Sequence, residues 1–135
     1  MDICLQDPER DDPLGGAFGA ARAVRAGDFV FTSAVTGVVG LDEGVPQFAD
    51  TFEDQVRVVG ERVGRRLGRF GCSPGDIVDA TVFVHPSVAI DPGRLLERLF
   101  ELVFFGHAPA LSVVRAASVY DDVLVSVKVV AYKPR

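Results

Sequence analysis

The chain contains no tryptophan, one methionine, two cysteines and two histidines in 135 residues. Two cysteines, Cys4 and Cys72, are too few for a disulfide scaffold and point to a small intracellular protein. Cys72 lies in Gly71-Cys72-Ser73-Pro74-Gly75 and has no histidine paired with it in the sequence, so it reads as a structural thiol. Positive charge is also short: 14 Lys and Arg stand against 19 Asp and Glu, a net charge of −5. That balance argues against binding a phosphate backbone, since nucleic-acid affinity comes largely from basic patches. Arg57, Arg62, Arg65, Arg66 and Arg69 do cluster, but among Asp and Glu on one helix, which reads as a solvated face. No apolar run approaches the ~18 residues of a membrane span. The acidic start, Met1-Asp2-Ile3-Cys4-Leu5-Gln6-Asp7, does not read as a secretory signal, and a cytoplasmic location is expected. His85 and His107, with scattered aspartates, do not make a metal-ligand spacing. No metal and no cofactor are expected.

What is abundant is apolar residues, at 48%. The length suits one domain with one core. Residues 1–17, rich in Asp, Pro and Gly, read as a flexible leader, and 18–135 as the single domain. Residues 20–26 and 28–35 predict a hairpin turning at Gly27-Asp28. Phe29, Phe31 and Ser33 share one of its faces, and Val30, Thr32 and Ala34 the other. A loop is expected through Gly37, Gly40 and Gly44-Val45-Pro46. The strongest helix spans about 51–70, with Phe52, Val56, Val59, Val63, Leu67 and Phe70 at spacings of three and four. Asp50 or Thr51 caps its start and Gly71 ends it. Gly60, Gly64 and Gly68 form a second stripe, each costing about 1 kcal/mol relative to Ala. Close backbone approach to a neighbour would offset that cost.

A central strand follows over 76–84, from its nearly unbroken branched apolar run. Asp91-Pro92 starts a second helix reaching about Phe105 and stopping at Gly106. Leu95, Leu96, Leu99, Leu102 and Val103 form its buried stripe. Strands over 111–119 and 123–132 close the chain. The order β-β-(β)-α-β-α-β-β puts two helices on one face of a mixed sheet of about six strands, an α+β architecture. The last strand is apolar on both faces: Val123, Val125, Val127 and Val129 point one way, Leu124 and Val130 the other. An apolar face that large normally marks a contact surface, so an oligomer with subunits burying their sheets together is expected.

Four stretches resemble the Rid (RidA/YjgF-like) family of reactive-intermediate deaminases. They are Val24-Arg25-Ala26-Gly27-Asp28-Phe29-Val30-Phe31-Thr32-Ser33; Gln55; Gly71-Cys72-Ser73-Pro74-Gly75-Asp76-Ile77-Val78 followed by Thr81-Val82-Phe83-Val84; and Pro109-Ala110. The resemblance covers nearly all of residues 18–132. It implies a chorismate-mutase-like fold and a homotrimer with a small-molecule pocket at each subunit seam. It also implies hydrolysis of enamines and imines to keto acids and ammonia. In the family an Arg grips the substrate carboxylate and a Glu positions or activates water. A Tyr near the first strand and a Ser on the second shape the pocket.

Aligned without a gap, the two closing strands put Leu111 at the position of that Arg and Ser126 at that of the Glu. The Ser is kept as Ser33, followed by Ala34 where the family usually has Gly, and the Tyr falls at Ala20. A bidentate Arg–carboxylate bond is among the stronger polar contacts. A carboxylate facing Leu111 would be desolvated without a partner, at a cost of a few kcal/mol. A serine hydroxyl is too weak an acid to serve as a base unaided. The catalytic candidates are therefore Ser33 and Ser126, at positions the resemblance marks, and His107, the titratable group in the loop feeding the Leu111 strand; the ligand-binding set is Ala20, Phe31, Ala34, Leu111, Val113 and Arg94. Backbone N–H groups at Ala34 and Val113 remain available donors. Arg115 shares the face of Leu111 and Val113, about 13 Å further along the strand, and reads as a surface or interface charge.

Three functions follow. The first is a divergent enzyme acting on a neutral or weakly charged imine, enamine or keto intermediate of specialised metabolism, by hydrolysis or cyclisation. The second is a non-catalytic metabolite-binding or assembly protein on the same scaffold. The third is the ordinary imino-acid deaminase. Neither nucleic acid nor membrane is expected as a partner.

Overall fold

The computed structural model describes residues 3–5, by their backbone, and 23–134. The main sheet has the lane order β1-β2-β3-β9-β7-β8: β1 is Ile3–Leu5, β2 Ala23–Ala26, β3 Phe29–Thr32, β7 Ile77–Val84, β8 Ala110–Arg115 and β9 Val125–Tyr132. A short strand β4, Val35–Thr36, continues the β3 lane further along β9. The β7–β8 pair is parallel and the others are antiparallel, so the sheet is mixed as expected. The hairpin turn falls at Gly27-Asp28, where Gly27 takes φ +61°, open to glycine at no steric cost. Within the residues expected as a leader, Ile3–Leu5 instead pair with β2 as its edge partner. The rest of that leader lies outside the described residues.

The expected loop after β4 is a second, two-stranded sheet, β5 (Val38–Asp42) with β6 (Val45–Phe48). Glu43 and Gly44 both have positive φ, 49° and 81°, the turn geometry whose twist matches a two-residue hairpin.

Helix α1 runs Phe52–Gly68, and the Thr51 hydroxyl accepts from the Asp54 N–H at 3.1 Å to cap it. Val56, Val59, Val63 and Leu67 are fully buried against the sheet, each contributing about 1.5–3 kcal/mol. Helix α2, Pro92–Leu102, is capped by Asp91, whose carboxylate accepts from the Arg94 N–H at 3.2 Å. Leu95, Leu99 and Val103 are buried, whereas Leu96 is 38% exposed, so the predicted stripe is narrower than expected. At Gly60 the two helices touch: an added Cβ would collide with the Leu102 carbonyl. Gly64 and Gly68 have no neighbour within 4 Å of such a Cβ, so close approach accounts for one glycine of the three.

The arginines of α1 are not all solvated. Arg57, Arg65 and Arg69 are exposed, but Arg62 and Arg66 are buried, Arg66 at 1% exposure. Arg62 Nη2 donates to the Val38 carbonyl at 2.8 Å, and Arg66 Nη1 donates to the Ser33 hydroxyl at 3.2 Å. A burial of this kind is sustained by hydrogen bonds to the charged head.

Among the described residues, no helix is long and apolar enough to cross a membrane. Both helices lie on one face of the sheet, which leaves its other face open. There Phe29, Phe31 and Tyr132 are 42–43% exposed. Their rings cluster, Phe29 to Phe31 at 6.4 Å and Phe29 to Tyr132 at 5.1 Å between centroids.

Candidate functional site

Strand register decides which candidate side chains share a face, because successive residues point to opposite faces. In β9, Val125, Val127, Val129 and Ala131 pack into the core under the helices. Ser126, between Val125 and Val127, therefore points to the open face. Its register partners are Thr36 on β4 and Phe83 on β7, with cross-strand Cβ atoms about 4.5–5.5 Å apart. Ser126 is nonetheless buried, in a small cavity of about 110 Å³ lined by Phe83, Ala116, Ala117, Ser118 and Val123. Thr36, a hydroxyl in register with Ser126, was not among the sequence candidates. The signal for it would have been the register of a two-residue strand.

Phe31 pairs with Val130 on the same open face. Between that pair and Val35–Val127, the β3–β4 lane holds Thr32, Ser33 and Ala34, and β9 holds only Lys128 and Val129. One extra residue makes a β-bulge, a device that re-aims side chains and frees backbone groups. Ser33 and Ala34 sit in it, outside any strand. The Thr32 hydroxyl compensates by accepting from the Val129 N–H at 3.1 Å.

Leu111 pairs with Ala80 and Val113 with Val82. Ala80 and Val82 are core-facing, so both β8 side chains lie on the helix-covered face, and Leu111 packs against the core. Ala80 and Phe83, the β7 partners of Leu111 and Ser126, are three residues apart. Leu111 and Ser126 thus point to opposite faces of one protomer's sheet. Because β8 is an edge strand, part of its backbone stays unpaired within the protomer.

His107 lies at the other end of β7. Its Nε2 is 2.6 Å from the Ile77 carbonyl. A carbonyl oxygen only accepts, so Nε2 carries a proton toward it, and Nδ1 is the ring nitrogen left facing away from this contact. Ile77 is six residues from Phe83 along β7, about 20 Å, so His107 and Ser126 of one protomer do not meet. Arg94 lines a cleft of about 440 Å³ with Phe52, Ser87, Val88, Ile90, Asp91 and Leu124. Ala20 lies outside the described residues. The chain therefore divides the candidates among an open face, a covered face and two ends.

Gln55 is the buried polar residue that ties these parts together. Its Nε2 donates to the Ala49 carbonyl at 2.9 Å and the Asp122 carbonyl at 2.8 Å, and its Oε1 accepts from the Leu124 N–H at 2.8 Å. One side chain thus fixes the approach to α1 and the loop leading into β9. Cys72 is buried, and burial first, then the Asp76 carboxylate, push its thiol above the ordinary value of 9.0 against the opposing pull of Arg25. It stays a neutral thiol, in keeping with a structural role. Among the described residues no group of three His, Cys, Asp or Glu side chains could hold a metal.

Two helices on one face of a six-lane mixed sheet, with β7, α2 and β8 forming a parallel crossover, define a YjgF-like α+β protein. Solved structures of this class superpose over nearly the whole chain. A member of the YjgF/YER057c/UK114 family from Mycobacterium tuberculosis matches with TM-score 0.72 and 24% identity, covering 97% of this chain and 99% of that one. A Rid-family protein of unknown function from Yersinia pestis matches with TM-score 0.76 and 18% identity, covering 97% and 99%. E. coli TdcF, solved with bound serine, matches with TM-score 0.67 and 25% identity, covering 84% and 87%. No curated protein matches. The chain belongs to the family described as endoribonuclease L-PSP, the YjgF/Rid family, whose model matches residues 16–133.

Proposed function

We propose that this protein is a divergent Rid-family member whose small-molecule pocket, at the seam of a homotrimer in the cytoplasm, takes a neutral or weakly charged imine, enamine or keto intermediate. The observation that carries this reading is Leu111, an apolar side chain packed against the core, at the gap-free position of the family's carboxylate-gripping Arg. Serine bound to E. coli TdcF is an amino-acid carboxylate on the same scaffold. At Leu111 such a group would lose its water and gain no donor, a cost of a few kcal/mol. The open apolar face around Phe29, Phe31 and Tyr132 supports the assembly. Across a seam, residues divided within one protomer come from different copies.

In this pocket the Ser126 hydroxyl, with Thr36 beside it, and backbone amides freed at the bulge hold a water against the electrophilic carbon, while Ser33, whose hydroxyl accepts from Arg66 Nη1, shapes the bulge. His107 Nδ1 accepts the proton, its ring oriented by the Ile77 carbonyl. Attack of the water on the C=N carbon forms the C–O bond. Proton transfer to nitrogen and loss of ammonia then break the C–N bond and leave a carbonyl.

The test is turnover by the purified protein of uncharged imines and enamines beside iminopropionate. Faster hydrolysis of an uncharged substrate is expected, and L111R with S126E should shift preference toward iminopropionate. No acceleration of any imine, enamine or cyclisation reaction overturns the catalytic reading. Stabilisation by apolar metabolites without turnover would establish the second reading, a non-catalytic binder, which the buried and unassisted Ser126 favours. The acidic net charge of −5 gives no support to RNA as the substrate.

A further inference from the structure

Arg94 and Arg115 stand out among the cations of this acidic chain. Arg98, one turn after Arg94, pairs with Glu53 at 2.9 Å and Glu101 at 3.2 Å. No carboxylate pairs with the guanidinium of Arg94 or Arg115 among the described residues. Each lines a cleft, and the two clefts share Ile90. The Arg115 cleft, of about 260 Å³, runs between α2 and the β7–β8 pair, and its other walls are Val84, Ile90, Pro92, Leu95 and Val113. Those walls are wholly apolar. Arg115 Nη1 donates to the Val88 carbonyl at 2.8 Å, which fixes the guanidinium at the mouth and leaves its remaining N–H groups for another acceptor. The one carboxylate in the neighbouring cleft, Asp91, accepts from the backbone N–H of Arg94 at the α2 N-terminus.

An apolar trough ending in an anchored arginine without an ionic partner is complementary to one chemical class. We propose that this cleft binds a small apolar carboxylate, its hydrocarbon body between Leu95 and Val113 and its carboxylate on Arg115. Arg94, across Ile90, adds positive potential at the entrance. Three features argue for it together. The apolar walls reward burial of hydrocarbon. A guanidinium held by one prong loses little further freedom on binding an anion. The anion gains a charge-assisted hydrogen bond that no carboxylate among the described residues contests. Arg115 lies four residues from Leu111 on the same face of β8, about 13 Å away. The cleft does not include Leu111, the position aligned with the family's Arg, although it borders the candidate ligand set through Val113 and Arg94.

The probe is phenylacetate, with uncharged phenylacetamide as its control, titrated into the intact protein and followed by backbone amide NMR shifts. Saturable shifts at Ile90, Leu95 and Val113 are expected for phenylacetate, with at least tenfold weaker binding of the amide. R115Q should remove that difference while leaving the rest of the spectrum in place, and R94Q should weaken the carboxylate only a few-fold. V113D, on a half-exposed edge position, should abolish phenylacetate binding by like charge. Equal affinity for acid and amide, undiminished binding by R115Q, shifts confined to Leu111 and Ser126, or no shift at tens of millimolar overturns the proposal. No turnover is read, so a failure here leaves the catalytic reading of the seam untouched, and the reverse holds.

Discussion

At the scale of single residues, Gln55 and the arginines of α1 show how burial changes what a polar side chain means. The amide of Gln55 satisfies three backbone groups from two loops at once. Truncation to alanine would strand the Ala49 and Asp122 carbonyls and the Leu124 N–H together, and a buried unsatisfied group costs about 1–3 kcal/mol. Some of them would find water at the mouth of the adjoining cleft lined by Asp50 and Asp121. Q55A should therefore lose about 3 kcal/mol in urea unfolding, well above a surface substitution. Q55E should lose at least as much, since a carboxylate cannot donate to two carbonyls. In the sequence Gln55 was legible only as a matching residue, without a reason. Arg62 and Arg66 are buried where the sequence reads a solvated face, because a helix pattern shows which positions are apolar, not which long side chains fold back into the protein. The bulge at Ser33-Ala34 was equally hidden, since an extra residue in a lane is defined only by the partner strand.

At the scale of elements, the caps and periodicities carried most of the information. Thr51 and Asp91 cap the two helices as their residue types predict, and the apolar stripe of α1 is the one its spacing draws. The β5–β6 hairpin is not legible in the sequence because Glu-Gly is a weaker turn signal than Asn-Gly and its strands are largely exposed, so no buried face marks them. The glycine stripe of α1 divides into two physical cases. At Gly60 a methyl group would meet the Leu102 carbonyl oxygen, with its carbon at 2.9 Å, and both are backbone atoms that cannot rotate away. G60A should therefore destabilise the protein by about 1–3 kcal/mol, as overpacking does. At Gly64 nothing lies within 4 Å, and G64A should stabilise by up to about 1 kcal/mol through helix propensity and a less flexible unfolded chain. Thermal melts of the two variants should move in opposite directions. A shared direction would mean that α1 and α2 do not touch at Gly60.

At the scale of the whole molecule, the apolar excess of the sequence and the one-sided placement of its helices lead to the same surface. On the open face the ring of Phe29 contacts those of both Phe31 and Tyr132, with Val24 and Val130 in register with Phe31. Burying such a face against other copies removes it from water at about 25 cal/mol per Å². Phe31 is 42% exposed in the protomer, so a charge there is tolerated by the isolated fold and costs most when a neighbour covers it. F31D should shift the sedimentation coefficient toward that of the monomer while its far-UV circular dichroism stays that of the parent. Activity or ligand binding at the seam should fall with the assembled fraction, because Leu111 and Ser126 do not share a face in one chain. An F31D variant that keeps the parent's mass would place the subunit contact elsewhere and remove the route by which those residues are joined. A dissociated variant with undiminished seam activity would show that one protomer suffices, against the parity of β7, β8 and β9.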